Sequence, residues 1–192
     1  MTGQSVAGAI LPRSFYQRDA VTVARDLLGK ILVNGETAGT IVETEAYPGG
    51  DDLASHSAAG ITDRTRVIFG PPGHAYVYLC YGMHACMNIV ADAEGSAGCV
   101  LIRALEPVAG VEVMRERRHS ARRDHDLASG PGKLTKALGI TLGHYGADLT
   151  RGEFVVRQPA GAKRFQIDIT PRIGISKCAE RPLRFVIRPE RP

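Results

Sequence analysis

The chain is 192 residues long, which fits one domain or one domain with appendages. Hydrophobic residues make up 44% of it and charged residues 23%, so a packed core is attainable and disorder over most of the length is excluded. Lys and Arg number 24 against 20 Asp and Glu, and a sequence pI of about 9.0 permits a nucleic-acid partner without demanding one. Cys80, Cys86, Cys99 and Cys178 form no C-x-x-C pair, and the histidines show no metal-binding spacing, so no zinc site is expected. Three of the cysteines sit in apolar runs, as free thiols of a reducing compartment do. There is no apolar signal core, and no stretch approaches the roughly 18 apolar residues of a membrane span. The expectation is a soluble, cytoplasmic protein.

Residues 1–10 read as a loosely held terminus, leaving 11–192 as a single domain. A short helix is predicted over residues 19–28. Asp19 can cap it, Val21, Ala24, Leu27 and Leu28 form one apolar stripe, and Gly29 ends it. Residues 31–33 and 39–47 read as strands, the second rich in Thr, Val and Ile and stopping at Pro48-Gly49-Gly50. Residues 48–73 form a loop with little apolar periodicity, and a loop of that length is usually functional or disordered. Strands are predicted at 75–79 and 85–90, on either side of a turn at Tyr81-Gly82. Another is predicted at 100–105, ending before Pro107. Residues 108–118 look helical. A Gly/Pro/Ser break at 127–132 precedes a short helix over 133–138, and strands follow at 154–156, 165–169, 173–175 and 183–187. With no repeat and no internal boundary, the predicted class is α+β: a single compact domain around a curved, mostly antiparallel sheet with several short helices.

Side chains two apart share one face of a strand, so Glu43, Glu45 and Tyr47 put two carboxylates and a phenol on one side. Glutamate is a poor strand residue, so the pattern fits either an exposed edge or a carboxylate held beside an aromatic wall for proton chemistry. Tyr76 and Tyr78 share a face in the same way, and Tyr81 stands at a turn tip. Such tyrosines either edge a core or offer a stacking surface, on which a base gains roughly 1–3 kcal/mol. A tip residue can also fill the hole left by a flipped base. His56 lies in the long loop, and Arg64 and Arg66 follow it, either solvated or gripping phosphates. Arg103 sits in an apolar strand and needs a partner, for which Glu45 and Glu106 are the candidates. Arg115, Arg117, Arg118, Arg122 and Arg123, with Glu116 among them, account for the net +4 of the whole chain. Both a solvated helix end and a phosphate-binding patch fit that run.

These groups suit one reaction. An N-glycosidic bond breaks through a sugar with oxocarbenium character. That asks for a carboxylate to orient water and offset the charge, aromatic walls for the base and cations for the flanking phosphates. No lysine lies between Lys30 and Lys133, so no Schiff-base nucleophile stands in the motif region. Direct attack by water, without strand cleavage, is the expectation.

The strings IVETEAY (41–47), Ala54-Ser55-His56-Ser57, Tyr76-Val77-Tyr78, Tyr81-Gly82-Met83, Cys86-Met87-Asn88-Ile89 and VLIRALEP (100–107) occur in one order. Ser129-Gly130-Pro131 with Lys133-Leu134, and Arg181-Pro182-Leu183-Arg184-Phe185, follow them. Together they resemble the alkyladenine (3-methyladenine) DNA glycosylase family of the mammalian type, here as a bacterial member, from about residue 11 to 188. The resemblance implies that Glu45 activates the water and that Arg103 helps hold that water and the nucleotide backbone. It implies a base pocket of Tyr47, His56, Tyr78 and Asn88, with Asn88 set against the 2-amino group of guanine, and Tyr81 intercalated into the duplex. Arg64, Arg66 and Lys133 are the expected DNA-backbone contacts. It further implies no metal or organic cofactor, and a monomer acting on double-stranded DNA that carries alkylated purines, hypoxanthine or etheno-adenine. Cationic alkylpurines leave readily, whereas neutral lesions need a proton, for which no general acid stands out. The other readings are a base-flipping binder without chemistry and a hydrolase of free nucleosides. Two departures bear on lesion choice. His84-Ala85 replaces an aromatic pair and is expected to loosen packing beneath the turn. The tip 66–72 lacks a Met-Lys-Pro pattern, which leaves Ile68 as the expected probe of the opposite strand.

Overall fold

The computed structural model describes residues 7–161 and 164–188. Among these, eight strands form one antiparallel sheet: β1 (Ile31–Asn34), β2 (Thr37–Tyr47), β3 (Ala75–Cys80), β4 (His84–Ala91), β5 (Gly98–Ala109), β6 (Phe154–Arg157), β7 (Ile167–Thr170) and β8 (Arg184–Ile187). The main path runs β3-β4-β5-β2-β1-β6. The length of β2 lets it pair with β5 along one edge and, along the other, with β1 first and β8 afterwards. Register shifts on either side of Glu43 bend the β2–β5 pair just before Glu45. The sheet therefore curls, and the class is α+β as expected.

Five short helices accompany it: α1 (Arg13–Tyr16), α2 (Ala20–Leu27), α3 (Val111–Arg117), α4 (Asp124–Leu127) and α5 (Pro131–Leu138). Asp19 caps α2 by accepting from the Thr22 amide at 2.9 Å. The buried face of α2 is Ala20, Val23, Ala24 and Leu27, with Leu28 buried beyond its end and Val21 half-buried against the same core. Buried Thr44 of β2 ties the helix to the sheet by donating to the Ala24 carbonyl at 2.8 Å. Alternation then sorts the strands. Ala46, Ala75, Val77, Met87, Ile89, Val100 and Ile102 face the helices and fill the main core, each of the larger ones contributing about 1.5–3 kcal/mol by burial. Their neighbours in sequence necessarily face the other way.

The structure corrects several boundaries. Strand β5 continues through Pro107, whose missing N–H falls opposite Gly39 at a register shift, and runs to Ala109. Helix α3 starts only at Val111, after Gly110 turns the chain with φ +67°. Residues 173–175 are not a strand; the Ile173 amide points instead at Glu45. Four-residue α1 and α4 are too short to carry an apolar period. The long loop holds two 3-10 turns, His56–Ala59 and Arg66–Phe69. Ile68 is 1% exposed and packs with Tyr76, Val90, Ala97 and Cys99, so it cannot probe an opposite DNA strand. Of the terminus expected to be loose, residues 1–6 lie outside the described residues, while the Ala9 carbonyl accepts from the Gln158 amide at 2.8 Å. No described helix is long and apolar enough to cross a membrane.

Candidate active site

Register aligns one row across four strands on the face away from the helices: Tyr76 (β3), Asn88 (β4), Leu101 (β5) and Glu45 (β2). Three strand spacings make that row about 14 Å long. Over it lies a cavity of about 500 Å³, lined by Tyr47, His56, Tyr78, Tyr81, Asn88 and Arg103 among others. That volume is of the size of a small-molecule site.

One end is a network of charge. Glu45 is wholly buried. Its Oε2 accepts from the Tyr47 hydroxyl at 2.9 Å, and its Oε1 accepts from the Ile173 amide at 2.8 Å and lies 3.2 Å from Arg103 Nη1. Arg103 Nε donates to Glu43 Oε1 at 2.8 Å, and the same oxygen takes Arg184 Nε at 2.6 Å. Arg103 thus finds Glu45, one of its two expected partners, together with Glu43. The other candidate, Glu106, pairs with His125 at the surface. Burial works against the Arg103 charge, but Glu45 and Glu43 outweigh it and raise the guanidinium pKa. Burial, and then the Glu45 carboxylate, push the Tyr47 phenol well above its ordinary range, so Tyr47 remains a donor. A carboxylate offers about four acceptor positions. Among the described residues, Oε2 accepts only from Tyr47.

The other end is aromatic. The Tyr76 and Tyr78 rings stack with centroids 5.2 Å apart, and His56 meets Tyr78 edge-on at 4.6 Å. Ser55 sets the 3-10 turn that delivers His56, accepting from the Ser57 amide, and His56 Nδ1 lies 2.8 Å from the Tyr76 hydroxyl. Burial and then Arg64 hold His56 below the usual imidazole value, while burial pushes Tyr76 up to about 12. Asn88 is anchored from behind: its Nδ2 donates to the Tyr76 carbonyl at 3.4 Å, and its Oδ1 faces Cys99 Sγ at 3.9 Å. Burial raises Cys86 and Cys99 to about 12, so neither is a ready thiolate.

The β3–β4 turn overhangs this cavity. Tyr81 has φ +51° and Gly82 φ +68°, with the Met83 amide donating to the Cys80 carbonyl at 3.2 Å, the pattern of a type I′ turn. The Tyr81 side chain stands out at 84% exposure. Beneath the turn lies a groove of about 560 Å³ between the hairpin and α5, lined by Leu79, Met83, His84 and Ala85 among others.

The expected backbone cations are dispersed. The Arg64 guanidinium lies over the Tyr78 ring at 4.8 Å and lines the cavity. Arg66 is exposed and pairs with Asp63 at 2.8 Å, and Lys133 Nζ donates to Ser129 at 3.1 Å. The arginine run is largely engaged at home: Arg115 with Asp124, Arg123 with Asp126, Arg118 with the Leu127 carbonyl and Arg117 with the Ala137 carbonyl. Sequence reasoning missed Asp52, Arg172 and the Ile173 amide. The one available signal was Pro171 and Gly174 bracketing an arginine, which argues against a regular strand there. Among the described residues no group of three or more His, Cys, Asp or Glu side chains is placed to hold a metal ion.

Comparison with known proteins agrees with this geometry. The profile of the family described as "Methylpurine-DNA glycosylase (MPG)" matches residues 14–191. A protein of Methanoculleus marisnigri is 53% identical over 187 residues, covering 94% of this chain and 96% of its own. Proteins of Methanocella arvoryzae (50% identical, 92% and 91% covered) and Koribacter versatilis (48% identical, 93% and 90% covered) are similar throughout. All three bear the name "Putative 3-methyladenine DNA glycosylase". With its row of site residues inside a match that spans nearly its whole length, the chain belongs to the methylpurine-DNA glycosylase family.

Proposed function

We propose that the protein is a monofunctional DNA glycosylase. It flips alkylated purines, hypoxanthine and etheno-adenine out of duplex DNA and hydrolyses the N-glycosidic bond with a water activated by Glu45. The observation that carries this reading is the state of Glu45. It is a buried carboxylate, oriented through both oxygens by Tyr47, Arg103 and the Ile173 amide, all three of which line the aromatic-walled cavity, and among the described residues its Oε2 accepts a single hydrogen bond.

In the proposed step, water donates to Glu45 Oε2 while its oxygen attacks C1′ of the sugar. The bond to the purine nitrogen breaks, its electron pair leaves with the base, and the water's proton passes to Glu45. The carboxylate also offsets the positive charge that develops on the sugar. A cationic alkylpurine leaves as a neutral molecule, whereas a neutral lesion leaves as an anion unless it gains a proton. Arg103, fixed by Glu43 and Glu45, steadies the water and the nucleotide backbone. Tyr47, His56 and Tyr78 wall the flipped base. Asn88, held by the Tyr76 carbonyl, presents its amide where a guanine 2-amino group would collide. Tyr81 occupies the vacated stack, and Arg64, Arg66 and Lys133 meet phosphates at low cost in new order. No lysine lines the cavity among the described residues, which supports release without strand cleavage. One chain supplies every group named, so a cytoplasmic monomer suffices.

A binder without chemistry is disfavoured by Glu45 itself. Arg103, Tyr47 and the Ile173 amide offset the burial of Glu45, but a carboxylate near bound phosphates still repels the ligand, a cost from which a pure binder gains nothing. The test is single-turnover base release from a duplex carrying one hypoxanthine or etheno-adenine, alongside Glu45→Gln. Release by the native protein with no nick before alkali, and a loss of roughly 10²- to 10⁴-fold in the variant, is the expected result. Equal rates for both would remove Glu45 from the chemistry.

A further inference from the structure

Arg172 lies in the irregular segment between β7 and β8, with its side chain wholly buried. Its two terminal nitrogens grip both oxygens of Asp52, at 2.6 and 2.8 Å. The same nitrogens donate to the Ala46 carbonyl at 3.1 Å and the Cys178 carbonyl at 3.4 Å. The flat guanidinium carbon stands 4.6 Å from the centroid of the Tyr47 ring. The very next backbone amide, Ile173, is the one that donates to Glu45. One side chain therefore joins the long loop, the end of β2 and the 172–178 segment at the back of the catalytic carboxylate.

Stability is a poor explanation for this pair. A buried ion pair recovers its desolvation only when all its polar atoms are served, and an apolar pair of similar volume often does as well or better. Here Arg172 Nε is buried with no partner among the described residues. We propose that the Asp52–Arg172 pair is a positioning device for hydrolysis, fixing the Tyr47 ring and the Ile173 amide so that Glu45 Oε2 is aimed at the attacking water. This inference rests on the glycosylase reading. Neither residue touches substrate. Both act through the donors that set the rotamer of Glu45, and misplacement of reacting atoms by about 1 Å costs on the order of 100-fold in rate.

The test compares the double variant Asp52→Leu/Arg172→Met, and separately Arg172→Lys, with the native protein and Glu45→Gln. The readouts are single-turnover release, affinity for the lesion duplex and thermal midpoint. Arg172→Lys keeps the charge but loses the two-pronged grip and the flat face over Tyr47. The expected result is a fall of roughly 10- to 100-fold in the saturating rate of both variants, with duplex affinity within twofold of native. A double variant that melts with the native protein yet stays slow supports positioning directly. Should it fail to fold, Arg172→Lys decides: native rate overturns the proposal and a slow saturating rate supports it. Native rates in both variants overturn it while leaving Glu45 in its role. Loss confined to affinity also overturns it. No release by the native protein removes the reaction itself, and this proposal with it.

Discussion

The two ends of the cavity are built on opposite principles. At the glutamate end, side chains are buried and interlocked: Glu43 takes two arginines, Glu45 takes a phenol, an amide and a facing guanidinium, and Arg172 closes the back. At the hairpin end, Tyr81 stands exposed on a backbone conformation that costs a non-glycine residue roughly 1–2 kcal/mol. The first arrangement holds its groups still, as the proposed electrostatic catalysis would require. The second holds a ring out in water, where its cost is recovered only when something covers it. Order and exposure are thus divided between the two ends, which in the proposed reaction serve chemistry and capture.

The largest effect expected from breaking this division lies at the interlocked end. Arg103→Met strands Glu45 beside its remaining donors and leaves Glu43 with Arg184 alone. Removing one partner of a buried pair costs about 3–5 kcal/mol, and the surviving Glu43–Arg184 contact puts this case near 3. For a domain of this size that lowers the thermal midpoint by roughly 6–12 °C. Arg66→Met, which breaks the exposed pair with Asp63, is expected to leave it unchanged. Equal melting of the two variants would mean that the glutamate end is no more rigid than the surface.

Tyr81 gives the next effect, and its sign differs between two assays. Tyr81→Gly removes a left-handed tyrosine and is expected to raise the midpoint by roughly 2 °C, because glycine adopts that conformation without strain. The same change takes away a stacking ring worth about 1–3 kcal/mol, so affinity for a lesion duplex falls by roughly 5- to 150-fold. Tyr81→Ala keeps the strain and loses the ring, so it weakens binding without the gain in stability. A fluorescent base analogue opposite the lesion follows flipping directly. Unchanged flipping in both variants would take Tyr81 out of the duplex.

The unequal legibility of the two ends has a physical basis. Residues on one strand face obey a period of two, so Glu43, Glu45 and Tyr47, or Tyr76 and Tyr78, can be grouped from local order alone. A turn tip is marked by its own glycine, so the exposed position of Tyr81 can be read from local order. The row joining Tyr76 to Glu45 depends on strand order, and neither Asp52 nor Arg172 lies in a periodic segment. Their partnership spans 120 residues and exists only once the sheet has curled. Ile68 was misread because a four-residue 3-10 turn has no period from which burial can be inferred. Which side chains share a face is readable from local order, and the long-range partners Asp52 and Arg172 are not.

His56 offers the smallest and finest test, since it belongs to the ordered wall yet sits only half-buried. Burial and then Arg64 lower its pKa, so the folded protein disfavours the imidazolium. An unfolded chain takes up that proton first as pH falls through about 6.5. Above that value both states are neutral and His56 contributes no pH dependence. Below it the unfolded state binds the extra proton and native stability declines, levelling off beneath the depressed folded value. Subtracting the midpoints of His56→Gln, which has no titrating ring, cancels every other group. The difference is expected to be flat from pH 8 to about 6.5 and then to turn against the native protein. Release of a cationic alkylpurine is expected to fall only at lower pH, where the folded protein's own His56 protonates and sets like charge against the base, whereas a neutral lesion is affected less. Parallel midpoint curves for the two proteins would show that the wall leaves His56 as free to protonate as an exposed histidine, and would shift the ordered region back to the glutamates alone.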